Sequence, residues 1–238
     1  MSTCKNCNSE LNGNYCSNCG HPAKLKRIDL NYIKNEIGNL FYLEKGFLYT
    51  IKEIVIRPEK SIKEFISESR YRLVKPITFL LLTSLIYTLI NYYFHIGDEY
   101  ANEIIGDDAG EIKVYKWIEG NFGYLYLFMG FFVAFCIKVF FKKYGYNYFE
   151  ILILFCFLTG IEMLINSLFA IIEGITETRL AYIASLIGFL YKVWATGRFF
   201  ENKPISYLKS FGASTLGLLL FFIVTTIIVT IVLLIMQG

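Results

Sequence analysis

From Phe211 to Met236 the chain carries no charged side chain. A run of this length is enough to cross a bilayer with tilt, because about 20 helical residues cover the hydrocarbon core. Four further stretches reach or approach the same length, at Ile77–Ile96, Phe122–Phe141, Phe149–Ile172 and Leu180–Phe199. The chain therefore reads as an all-α polytopic membrane protein with five transmembrane helices, 77–96, 122–141, 149–172, 180–199 and 211–236. Lys192 makes the fourth the weakest of the five. Composition points the same way. Of 238 residues 55% are hydrophobic and only 18% charged, whereas soluble domains average roughly 45–50% apolar.

Basic residues are retained on the cytoplasmic side of a membrane, so their placement sets the topology. The approach to the first span, the second-to-third connection and the fourth-to-fifth connection, with Arg198, hold twelve Lys and Arg between them. The opposite connections hold three, Lys113, Lys116 and Arg179. This asymmetry predicts a cytoplasmic N-terminus and an external C-terminus. Residues 97–121 become an acidic external loop, with Asp98, Glu99, Glu103, Asp107, Asp108, Glu111 and Glu119, and Tyr92, Tyr93 and Tyr124 anchor the matching interface. Residues 1–30 lack the apolar core of a secretory signal, which keeps the N-terminus where it is made.

Ahead of the spans stand Cys4-x2-Cys7 and Cys16-x2-Cys19, eight residues apart. Two Cys-x-x-Cys turns can present four thiolates in the tetrahedral cage that zinc prefers. Leu11 and Tyr15 are the main apolar residues of the segment, so burial cannot fold it. Metal binding has to supply the free energy, roughly 10–16 kcal/mol in zinc-finger peptides. Two disulfides would suit an oxidising compartment, but the topology puts this segment in a reducing one. Haem attachment needs a histidine directly after the second cysteine, and here Gly20 separates Cys19 from His21. A thioredoxin-like pair would want a βαβ unit around it. His21 reads as a solvated residue past a cage already filled by four thiolates. Residues 1–22 are thus read as a zinc ribbon with zinc as a structural cofactor.

Residues 23–76 link the ribbon to the membrane. Leu40, Leu43, Phe47, Ile51, Ile54 and Val55 recur at helical spacing, with Lys45, Lys52 and Glu53 spread around the rest of the surface, which predicts an amphipathic helix. Pro58 suits the first turn of a second helix carrying Ile62, Phe65 and Ile66 on one side. Two placements fit both helices. They can lie among the headgroups with their basic side chains toward anionic lipid, or pack on each other and on the cytoplasmic ends of the spans.

The "YCSNCG" knuckle at 15–20 resembles the short zinc ribbons found at the ends of many bacterial proteins. The "GFLYTIKEIVIRPEKSIKEFI" approach at 46–66, "KPITFLLL" at 75–82 and "YGYNYFEILI" at 144–153 resemble a bacterial membrane family of unknown function in which such a ribbon precedes several spans. More distantly, a cytosolic N-terminus followed by five helices is similar in architecture to the Yip family of trafficking-associated membrane proteins. The resemblance implies a bacterial cytoplasmic (inner) membrane and brings no active-site residues.

Within the spans, ionisable side chains mark functional candidates, since burying one costs a few kcal/mol. Glu162 lies near the middle of the third span, with Thr159 and Asn166 on the same helical face. Lys192 sits at a comparable depth in the fourth span, where a pair would offset both desolvation costs. This set can form a proton or ion relay or line a polar cavity, and it can equally be interhelical glue. Glu150 marks the cytoplasmic entrance of the third span and Lys138 is placed to snorkel. Cys136 and Cys156 flank the second-to-third connection as a conceivable redox or metal pair, with buried small hydrophobes the plainer reading. His95 stands alone near the outer interface.

No H-E-x-x-H, G-x-S-x-G or phosphate-loop motif occurs. The net charge of +3 and the Lys24, Lys26 and Arg27 trio are a weak footprint for nucleic acid. Function therefore reads as a non-enzymatic membrane protein whose ribbon docks a cytosolic partner or regulates the bundle. The alternatives are a transporter or a pore built by several copies, and, behind both, an intramembrane enzyme.

Overall fold

Pro58, Pro76 and Pro204 each open a helix, at the position where a fixed φ is helpful and the missing N–H is not needed. The computed structural model describes residues 3–4, 7, 9–10, 13–20, 46–94, 96 and 122–237, the side chains of 122 and 228–237 aside. The chain divides into two compact units, Met1–Leu43 and Glu44–Gly238. The acidic 97–121 connection, the Lys24–Arg27 trio, Leu11, His21, His95, Leu40, Leu43 and Lys45 lie outside the described residues.

In the first unit an isolated antiparallel bridge joins Thr3 to Glu10. The second unit is helical: α1 (Phe47–Ile56), α2 (Pro58–Ser67), α3 (Pro76–Phe94), α4 (Phe122–Phe140), a 3-10 turn (Lys142–Tyr144), α5 (Tyr148–Thr176), α6 (Ala181–Phe200) and α7 (Pro204–Gln237). Among the described residues four helices are long and apolar enough to cross a membrane, Pro76–Phe94, Gly123–Phe140, Tyr148–Thr176 and Pro204–Ile227. The segment expected as the fourth span forms α6, a helix of 20 residues. It is not one of those four, and it carries Lys192 and Arg198.

Short connections make α4 to α7 run up and down. The turn into α5 is held by a capping box. Asn147 Oδ1 accepts from the Glu150 N–H at 3.0 Å, and Glu150 Oε2 accepts from the Asn147 N–H at 2.7 Å. Glu150 thus does mark a helix entrance, and its immediate task is to satisfy backbone donors. Next to it, Phe141 stacks on Phe200 with centroids 4.0 Å apart, and the Tyr144 hydroxyl donates to Glu201 at 2.5 Å. Lys203, Tyr144 and Lys143 together pull the Glu201 carboxyl down to about 2.

Helix α5 is the axis of the bundle. Its most apolar window is 72% buried, against 22–39% for the other three candidates. It packs against α3, α4 and α6, and α7 closes on α4 and α6. Close approach of α3 needs Gly160, since a Cβ there would lie 2.5 Å from the Phe79 ring. Small residues at such crossings are how membrane helices gain packing in the absence of a hydrophobic drive between them.

The two short helices pack on the bundle. Phe47 meets the Phe79 ring at 5.6 Å, Phe65 meets Phe157 edge-on at 5.3 Å, and Ile54 and Ile62 are fully buried. The sequence pattern placed Glu53 on the outer surface and Val55 with the apolar stripe. The structure reverses both: Glu53 is buried and Val55 is 46% exposed. Glu53 can be buried because Arg57 clasps it with two hydrogen bonds, at 2.8 and 2.7 Å, and Ser61 donates a third at 3.0 Å. A carboxylate so satisfied tolerates burial. The Arg57 guanidinium accordingly lowers the Glu53 carboxyl below its ordinary range.

Candidate sulfur cluster and buried ion pair

The first unit brings its four paired cysteines together. Cys4 and Cys19 have their Sγ atoms 3.6 Å apart, as do Cys7 and Cys16, and all four sulfurs lie within 4.8 Å of one another. Two backbone turns place them. The Cys4 N–H donates to the Ser9 carbonyl at 2.9 Å, and the Gly20 N–H donates to the Cys16 carbonyl at 2.8 Å. Gly20 has φ +71°, a left-handed conformation that glycine adopts without Cβ strain. None of the four is in a disulfide.

The sulfurs fit a metal. A tetrahedron of thiolates around zinc at about 2.3 Å has edges of about 3.8 Å, close to the two 3.6 Å separations. The Ser9 hydroxyl adds a group that the cysteine spacing does not reveal. It lies 2.9 Å from Cys7 Sγ and 3.1 Å from Cys16 Sγ. Hydrogen bonds from Ser9 are the main reason the Cys7 thiol is lowered to about 6, and Ser9 likewise lowers Cys16. A hydroxyl donating to sulfur stabilises the thiolate, which is the form that binds metal. The four cysteines can therefore hold a metal ion.

In the bundle, Lys192 Nζ lies 2.6 Å from Glu162 Oε2, with the two side chains 12% and 7% exposed. The pairing expected from their depths is present. Gly188 makes room for it, because a Cβ at that position would come within 2.7 Å of Glu162 Cγ. Lys192 also faces aromatic rings, its Nζ 5.9 Å from the Tyr126 centroid and 6.0 Å from that of Phe155.

Thr159 and Asn166, expected on the Glu162 face, are both buried. Among the described residues neither Thr159 Oγ1 nor Asn166 Oδ1 has a hydrogen-bond partner. On α7, Ser206, Ser210 and Ser214 form a buried stripe at four-residue spacing, and Ser210 Oγ is also without a partner among the described residues. Beside Lys192 a cavity of about 20 Å³ is lined by Lys192, Thr196 and Ser214 within apolar walls. That is room for about one water molecule. Thr196 and Ser214 escaped the sequence reading because small hydroxyl residues are common in membrane helices, and only their place on the wall of the Lys192 cavity singles them out.

Cys136 and Cys156 are both buried and free, and Lys138 is exposed as a snorkelling residue would be. Tyr92, Tyr93 and Tyr124, expected as anchors, are 77%, 76% and 68% exposed.

The family described as "Protein of unknown function (DUF3667)" matches residues 44–88. That segment covers α1, α2 and the first two-thirds of α3, and includes none of the four clustered cysteines and neither partner of the buried ion pair. No curated protein and no solved structure matches the chain.

Proposed function

We propose that the chain is a non-enzymatic integral protein of a bacterial cytoplasmic membrane, whose zinc-stapled cytosolic head docks a protein partner or regulates the helical bundle. The observation that carries this reading is the cluster of four sulfurs with edges near those of a zinc tetrathiolate. Zinc is the favoured ion because four thiolates suit a soft, tetrahedral, redox-inert cation in a reducing compartment. Such a module without apolar content of its own folds around its metal and presents a small rigid surface.

The bundle in this reading has five crossings, N-terminus inside and C-terminus outside. Helix α6 is the fourth. Its first half exposes Tyr182, Ile183, Leu186, Ile187 and Leu190, an apolar face suited to lipid. Its second half packs on α2, and Arg198, still 38% exposed, is paired with Glu59 at 3.0 Å. Pairing of this charge with a carboxylate lowers what it costs such a helix to cross.

The test is elemental analysis of detergent-purified protein, native and Cys16→Ser. One zinc per native chain and its loss in the variant are the expected result. A native chain free of metal after purification without chelator overturns the zinc reading. For docking, the proteins retained by native chain and by Cys16→Ser are compared, and identical sets end the idea.

A further inference from the structure

Among the described residues, three buried side-chain oxygens of the bundle have neither a hydrogen-bond nor an ion-pair partner, Thr159 Oγ1, Asn166 Oδ1 and Ser210 Oγ, and the first two share one face of α5 with Glu162. Glu162 Oε2 itself faces the Lys192 ammonium at 2.6 Å. Thr159 and Asn166 lie one turn to either side of it and span about 10.5 Å along the axis. Buried polar atoms of this kind are commonly satisfied by internal water. The cavity at Lys192, with the Thr196 and Ser214 hydroxyls on its wall, continues the line toward the Phe200 end of α6. In the other direction, two turns beyond Asn166 on the same face, the buried Glu173 accepts a hydrogen bond from Leu180 N at 3.1 Å, beside the turn that leaves α5.

We infer that Glu162 and Lys192 form a proton-transfer site inside the bundle, fed by internal water held at Thr159, Thr196 and Ser214 on one side and at Asn166 on the other. The inference rests on the reading of these helices as membrane-spanning. In the transfer, an N–H bond of the Lys192 ammonium breaks and an O–H bond forms at Glu162 Oε2, which leaves a neutral amine and a neutral acid. The acid passes its proton to water at Asn166. The amine takes one from water at Thr196 and Ser214. The charged pair is restored and one proton has crossed the pair, with no redox partner.

The surroundings suit a neutral intermediate, since little else near the pair is charged. Helix α4 contributes Tyr126, whose ring is 5.9 Å from Lys192 Nζ. Helix α3 has no charged side chain, with Tyr87 its titratable group at this level. The one charged residue of α7 is Lys209, in its second turn. From α1 and α2, Glu53 is held by Arg57 and Glu59 by Arg198.

The experiment uses the full chain in sealed liposomes with a trapped pH dye and a potassium diffusion potential. Native protein is expected to carry protons well above protein-free vesicles, and Glu162→Gln and Lys192→Met are expected to fall to that background. The double variant Glu162→Gln with Lys192→Met removes both charges, leaves no buried ion unpaired, and guards against a fold defect in either single variant; it too should be silent. A second readout is infrared difference spectroscopy on acidification. Beside the bands of the other carboxyls, which native protein and variant share, a deuterium-sensitive carboxylic acid band should appear in native protein that Glu162→Gln lacks. Native flux equal to empty vesicles, or flux and band unchanged by Glu162→Gln, overturns the site. Alkaline carbonate extraction separates the two readings: protein released from the vesicles defeats both, whereas protein retained but silent defeats the proton site alone.

Discussion

Tyr191, in the middle of α6, donates its hydroxyl to the Ile54 carbonyl at 2.8 Å across 137 residues of chain. The bond satisfies a carbonyl near the end of α1, where the helix leaves its last acceptors without partners. Three residues on, Trp194 lies beside Arg198, whose Nε is 3.0 Å from Glu59. One face of α6 therefore holds the α1–α2 hairpin by a hydrogen bond and an ion pair.

Tyr191→Phe removes only the oxygen. The expected cost is about 0.5–1.5 kcal/mol, seen as a lower thermal midpoint in detergent and faster proteolysis in the α1–α2 segment. An unchanged midpoint together with unchanged cleavage would show that the hairpin is held by its apolar contacts alone.

Acid should weaken the same hairpin. The Glu53 carboxyl is lowered by Arg57 in the folded chain, so its contribution is fully present above the ordinary carboxylate value and is lost as pH falls through the depressed one. The thermal midpoint of native protein should therefore drop as pH is taken below about 4.5, and Glu53→Gln should start lower and respond less. Glu201, with its carboxyl at about 2, adds to the fall in native protein and remains in the variant as the residual slope.

Gly188→Leu is expected to disturb the buried pair. The added side chain enters the space of Glu162 Cγ, and overpacking of this kind typically costs about 1–3 kcal/mol. Thermal unfolding in detergent checks it. Gly188→Ala should show the smaller effect; a stability for both equal to native would mean that Glu162 can turn aside freely.

The helices were legible because their signals are local. Prolines open three of them, and apolar runs of the right length mark the rest. The α5 cap was also readable in principle, as Asn147 followed three residues later by Glu150. What single residues could not reveal was which face meets protein. Glu53 looks like a surface charge in a helical pattern, and only Arg57 and Ser61 folded against it make burial tolerable. The cysteine set was plain from spacing, whereas Ser9 was not, because its hydroxyl reaches the sulfurs through a turn that spacing does not describe. Glu162 and Lys192 were found by their cost in an apolar run; the hydroxyls around them carry no such signature.

Chelation should act on one unit only. The four sulfurs lie in Met1–Leu43 and the ion pair in Glu44–Gly238. Stripping the metal is expected to expose four reactive thiols while leaving helical circular dichroism and the thermal midpoint of the bundle unchanged. Ser9→Ala should retain metal yet release it to a competing chelator about 10–100-fold more readily, as loss of an outer hydrogen bond to a ligand does.

The most direct measurement is thiol labelling of cells that express the full chain, using a membrane-impermeant maleimide before and after permeabilisation, with and without chelator. Cys4, Cys7, Cys16 and Cys19 should stay unlabelled in intact cells and become reactive only when the membrane is opened and the metal removed. Labelling of these cysteines in intact cells would place the sulfur cluster outside, and would contradict both the cytosolic head and the topology built on it.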